Sequence, residues 1–125
     1  EIAQCLVGSE MCIRDSIVSM AELAKANKIK VILTSVLPAA AFKWRMEIKD
    51  VPQKIKSLND RIEAYARANK IPFVNYYKAM VVDENQALNP QYTKDGVHPT
   101  SEGYDIMEPL IKNAIEKALC YHRLK

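Results

Sequence analysis

The hexapeptide Ala24-Lys25-Ala26-Asn27-Lys28-Ile29 recurs 42 positions later as Ala66-Arg67-Ala68-Asn69-Lys70-Ile71. Each copy runs into a short β-rich stretch: Val31-Ile32-Leu33-Thr34-Ser35-Val36 after the first, Pro72-Phe73-Val74-Asn75-Tyr76-Tyr77 after the second. Each unit reads as the end of a helix, a break at Asn-Lys, and a strand. Asn tolerates the left-handed backbone that ends many helices, which accounts for its place in both breaks. Two such units in 125 residues commit the chain to an alternating α/β architecture, with a parallel sheet and helices against it. At this length the chain forms one domain.

The pattern around the repeats predicts three helices. The first covers 16–26, with Ser16 as an N-cap candidate and Ser19 and Glu22 at capping-box spacing. The second covers 51–68, with Asp50 as N-cap, Pro52 in the first turn, and an apolar stripe of Ile55, Leu58, Ile62, Tyr65 and Ala66. The third follows Pro99 and carries Tyr104, Met107, Ile111, Ala114, Ile115 and Ala118 on one face, with Pro109 inside it as a kink. Residues 29–36 and 73–77 should be adjacent parallel strands. The first of these is continuously apolar at 31–33, as a strand covered on both faces should be.

Two connections, 37–50 and 78–99, exceed the roughly 2–6 residues usual in α/β units. Both follow a strand, so both lie at the carboxyl edge of the sheet, where open α/β folds bind ligands. Composition narrows the ligand class. Eighteen basic against 15 acidic residues, evenly scattered, do not make a nucleic-acid or anionic-membrane surface. No apolar run approaches the roughly 20 residues that span a bilayer. No signal-peptide pattern is visible at the N-terminus, and both cytoplasm and periplasm are compatible with the sequence. Cys5, Cys12 and Cys120 are odd in number and lack metal-site spacing, which argues against a disulfide framework and a zinc site.

The second long connection ends in Tyr92-Thr93-Lys94-Asp95-Gly96-Val97-His98-Pro99-Thr100. Three positions separate Asp95 from His98, close enough for a carboxylate to reach an imidazole across one tight turn. Gly96 frees the backbone for that turn, and Pro99 biases His98 toward an extended conformation that lifts its ring from the following helix. A carboxylate on one ring nitrogen fixes the tautomer and leaves the other nitrogen as a general base. The same spacing also serves a purely structural turn. No second His or carboxylate cluster stands beside it, so the pattern does not point to a metal. Trp44 and Arg45, in the first long loop, suit substrate binding through an aromatic face and a guanidinium. Tyr76 and Tyr77 end the second strand, and Tyr77 is the candidate to line a pocket.

Asp95-Gly96-Val97-His98-Pro99, set before a C-terminal helix with Gly103-Tyr104 in its first turn, resembles the last sequence block of the SGNH (GDSL-type) esterases. The two β-rich stretches look like the last two strands of that fold, and the resemblance covers roughly 17–119. It implies a flavodoxin-like three-layer α/β/α hydrolase, here incomplete, holding the last two strands and their flanking helices. It also implies ester cleavage by a Ser-His-Asp triad, with Asp95 as orienting acid, His98 as base, and no metal or organic cofactor. Within the family the loops look most like carbohydrate O-acetyl esterases, which makes a small ester, such as an acetylated sugar, the expected partner.

The front of the chain departs from that pattern. The nucleophile, Gly and Gly-x-Asn-Asp blocks of the family are not found. Arg14-Asp15-Ser16-Ile17 looks like a nucleophile block with Arg in place of Gly, yet His98 follows Ser16 by only 82 residues, too few for the intervening strands. Ser9 is a weaker candidate. The stretch 5–16 resembles translated sequencing-adapter sequence, so 1–16 is expected to be a foreign or disordered leader and 17–125 the C-terminal part of one hydrolase domain. The reading is a serine-esterase fragment without its nucleophile. The alternative is a non-catalytic α/β binding or interaction module with a structural D-x-x-H turn.

Overall fold

Both copies of the repeat end their helices in the same way. In the computed structural model, which describes residues 10–82 and 84–123, α1 spans Glu10–Ala26 and α2 spans Val51–Ala68. After α1, Lys28 N–H bonds Lys25 C=O at 3.0 Å and Ile29 N–H bonds Ala24 C=O at 2.9 Å. After α2, Lys70 N–H bonds Arg67 C=O at 3.3 Å and Ile71 N–H bonds Ala66 C=O at 2.8 Å. This is the paired bonding of a Schellman terminus. The left-handed residues are the lysines, at φ 60 for Lys28 and 56 for Lys70, and not the asparagines expected there. Asn27 and Asn69 instead fold their side chains back, each Nδ2 donating to the carbonyl four residues earlier at 2.8 and 2.9 Å. The same carbonyls, Leu23 C=O and Tyr65 C=O, also accept the asparagines' backbone N–H at 3.2 and 3.1 Å, which keeps each asparagine on the last turn, so the left-handed residue is the lysine after it.

Each terminus feeds a strand. β1 (Leu33–Thr34) and β2 (Phe73–Val74) pair in parallel, Leu33 opposite Phe73 and Thr34 opposite Val74. The strands are adjacent and parallel as expected but shorter than 29–36 and 73–77. Asn75 accounts for one truncation: its Oδ1 accepts Lys78 N–H at 2.9 Å and starts α3 (Tyr76–Met80), so Tyr76 and Tyr77 are helical. Residues 31–33 are half-buried, and β1, among the described residues, pairs only with β2.

α2 packs against α1, β1 and β2, while the last helix, α4 (Ser101–Arg123), packs against β2 and α3. Two buried clusters result. Ala39, Phe42, Ile48, Val51 and Ile55 form one; Val74, Tyr76, Met80 and Leu88 form the other, covered by α4. Four of the five expected stripe residues of α2 are buried, and the fifth, Tyr65, is half-buried with its hydroxyl donating to Glu22 on α1. Asp50 stands at the N-cap position but is left-handed, φ 58, and its side chain makes no capping bond.

Three further expectations change. α1 is already helical at Glu10, six residues before the expected start; residues 1–9, including Cys5 and Ser9, lie outside the described residues. Ser16 is therefore no N-cap: its Oγ donates to Cys12 C=O at 3.1 Å, as hydroxyls inside helices do. The packing face of α4 is made by the half-buried Ile106, Met107, Leu110, Ile111 and Ala114, whereas Tyr104 and Ile115 are exposed. The helix runs through Pro109. Cys12 and Cys120 are exposed free thiols. No described helix is long and apolar enough to cross a membrane.

Candidate active site

The tract 92–100 folds as a closed turn held from inside by Thr93 and pressed from below by α4. Thr93 and Pro99 form an antiparallel bridge, and Thr100 N–H bonds Tyr92 C=O at 2.8 Å. Gly103, in the first turn of α4, lies so close that a Cβ there would come within 2.9 Å of both Tyr92 O and the Pro99 Cβ. Any larger residue would have to displace the loop. Gly96 takes φ +84, the left-handed region that its missing side chain permits.

Within the turn the Asp95 carboxylate divides its work. Oδ1 accepts the backbone N–H of His98 at 2.8 Å and of Val97 at 2.9 Å, which fixes the carboxylate plane. Oδ2 lies 2.6 Å from His98 Nδ1. Three donors hold the Asp95 carboxyl well below the usual carboxylate range: first the His98 backbone N–H, then the His98 ring, then the Val97 N–H. Asp95 is thus an anion across neutral pH. In the tautomer that directs Nδ1–H at that anion, Nε2 is left with the lone pair a general base needs. The His98 side chain is 75% exposed, so its ring stands clear of α4.

Thr93 had no assigned role in the sequence, yet it is the buried hub of the turn. Its Oγ1 lies 2.8 Å from His98 C=O and 3.2 Å from Asp95 Oδ1, and it accepts Gly96 N–H at 3.0 Å. One hydroxyl proton serves one acceptor at a time, and the shorter contact to His98 C=O is the better one. The available signal was a hydroxyl residue two positions before an Asp-Gly turn, a spacing that favours local side-chain-to-backbone bonds.

His98 borders a cleft of about 550 Å³ at the ends of the strands, whose other walls include Ser35, Val36, Phe42, Trp44 and Val97. Trp44 packs against Phe42, ring centroids 5.3 Å apart, and stays more than half exposed. Arg45 and Tyr77 do not line the cleft. Arg45 pairs with Glu47. Tyr77 is half-buried against the Ala39–Phe42 cluster, and burial pushes its phenol up. Ser35 is the serine on the cleft wall, but it is buried and its Oγ accepts Tyr77 N–H at 2.9 Å. Ser16 is outside the cleft wall. Among the described residues no three His, Cys, Asp or Glu side chains come together as a metal site.

The sequence profile of the GDSL-like lipase/acylhydrolase family matches residues 6–106, most of the chain. The chain belongs to this family. A GDSL-like lipase of Bacteroides thetaiotaomicron VPI-5482 is 80% identical, with a TM-score of 0.86 over 88% of this chain and 54% of its own. A protein of Bacteroides fragilis NCTC 9343 is 68% identical, with the same TM-score, over 88% of this chain and 53% of its own. This GDSL-family chain therefore spans about half the length of those relatives. The esterase domain of the ORF1 protein from a zebrafish retrotransposon, 15% identical with a TM-score of 0.69 over 86% of this chain and 60% of its own, shares the fold alone. No curated protein matches significantly. The two-strand parallel sheet with its helices is thus part of a GDSL-like hydrolase fold.

Proposed function

We propose that this chain carries the acid–base half of a serine-esterase site, with Asp95 orienting His98 and the nucleophilic serine contributed by residues outside the chain. The observation that carries the reading is the 2.6 Å pair of Asp95 Oδ2 and His98 Nδ1 at the edge of the cleft, in a chain of the GDSL-like family. In the reaction, His98 Nε2 takes the proton of a serine hydroxyl as its oxygen bonds the ester carbonyl carbon. The imidazolium, stabilised by the Asp95 anion, returns that proton to the departing alkoxide. Water then repeats the sequence on the acyl-enzyme and frees the acid. Residues of this chain call for no metal or organic cofactor in these steps.

The substrate we assign is a small carboxylic ester, specifically an O-acetylated sugar. Trp44, more than half exposed on the wall of the cleft that His98 borders, supports it, because indole faces suit the apolar face of a sugar ring. One observation favours the alternative, a binding module with a structural turn: two of the contacts to Asp95 are backbone N–H groups, which such a turn would need equally.

Hydrolysis of 4-nitrophenyl acetate by the purified chain tests the missing nucleophile. The chain, His98→Ala and Ser16→Ala are all expected at the buffer rate, since a base with nothing to activate does not catalyse. A rate well above buffer that both substitutions abolish would make Ser16 the nucleophile and overturn the reading.

A further inference from the structure

The ladder between β1 and β2 ends at Ser35, whose N–H bonds Val74 C=O at 2.9 Å. Val36, the next residue, has two backbone groups that the ladder no longer serves, and a half-buried peptide cannot leave them unpaired without cost. One side chain takes both. Asn59 Oδ1 accepts Val36 N–H at 2.7 Å, and Asn59 Nδ2 donates to Val36 C=O at 3.0 Å. Asn59 is buried on α2, in a row otherwise formed by Ile55, Leu58 and Ile62. A primary amide offers one donor face and one acceptor, as a peptide does, so it stands in for a missing strand neighbour.

What the clamp holds is the cleft. Val36 stands in the stretch of wall from Thr34 to Ala39 and lines the same cleft as His98. Val36 and Val97 pack on one buried cluster with Phe42, and Val97 immediately precedes His98. We propose that Asn59 is a positioning residue: through Val36 it fixes the wall of the cleft that His98 borders and the start of the loop that carries Phe42 and Trp44. The functional meaning rests on His98 being the base, but the clamp can be tested without any hydrolysis.

Amide hydrogen exchange of the full chain is the test. In the wild-type chain the Val36 amide should exchange within about tenfold of the ladder amide of Ser35, although no strand accepts it. Asn59→Leu keeps the volume and removes both bonds; Asn59→Asp keeps an acceptor for Val36 N–H but sets oxygen against Val36 C=O. Exchange over 36–44 is expected to rise about tenfold or more in Asn59→Leu and less in Asn59→Asp, with 101–120 unchanged. The near-UV signal of Trp44, the single tryptophan, should change in step. A Val36 amide exchanging as freely as solvent-exposed backbone in the wild type would overturn the proposal even if a variant failed to fold. So would equal acceleration across the whole chain, or none over 36–44.

Discussion

Asp95→Asn is expected to lower kcat by about 10⁴-fold, with KM changed only a few-fold, in a chimera where this chain replaces the matched half of the Bacteroides thetaiotaomicron protein. The geometry dictates the size. Oδ1 of Asp95 is committed to the N–H groups of Val97 and His98, so the asparagine oxygen must stay there. The new NH2 then faces His98 Nδ1, which can only accept from it. The ring proton moves to Nε2, and the atom that should take a proton from the serine already carries one. A factor of 10⁴ corresponds to about 5.5 kcal/mol of lost transition-state stabilisation. A structural turn would respond differently, because asparagine still accepts the two backbone bonds and the chimera would lose little activity. A fall of less than tenfold in kcat, with an unchanged circular dichroism spectrum, would contradict the catalytic role.

Leu58→Ala is expected to cost about 2–5 kcal/mol, a large share of the roughly 5–15 kcal/mol that holds a domain together. Leu58 is completely buried on α2, the helix that packs against α1 and both strands. Removing its isobutyl group forfeits burial and leaves a cavity that a helix flanked on so many sides cannot close. With a urea dependence of about 1–3 kcal/mol per molar, the unfolding midpoint should fall by about 1 M or more. Leu23→Ala, on the outer face of α1 at 67% exposure, should change stability by less than about 0.5 kcal/mol. Equal, small losses in both variants would contradict the central place given to α2.

Where sequence was informative, the signal was local. The repeat located both helix ends because a helix followed at once by an apolar run needs a tight stop there. It did not reveal that lysine would take the left-handed turn, since that choice follows from asparagine staying on the last turn, where its backbone and side chain both bond the helix carbonyl four residues back. The D-x-x-H turn was legible for the same reason: Asp95, Gly96 and His98 act within one turn of chain. The start of α1 was not, because the residues before Ser16 carry no Pro or Gly after Gly8 to stop a helix from extending backward. Strand ends failed at Asn75, which reads equally as a strand residue and as a cap. The face of α4 is legible only at Met107, Ile111 and Ala114, because Ile106 and Leu110 fit helical spacing as well as Tyr104 and Ile115, and only β2 and α3 decide between them. The Asn59 clamp joins residues 23 apart, and no spacing rule foretells a polar contact of that kind.

The central proposal is that Asp95 and His98 activate a serine contributed from outside this chain. Treating the isolated chain and the chimera with a fluorophosphonate, and locating the adduct by peptide mass spectrometry, tests it most directly. The prediction is no adduct on the isolated chain, and one adduct on the chimera, on a serine outside the residues of this chain, that disappears in His98→Ala. An adduct on Ser16 or any other serine of this chain, or one that survives His98→Ala, would contradict it.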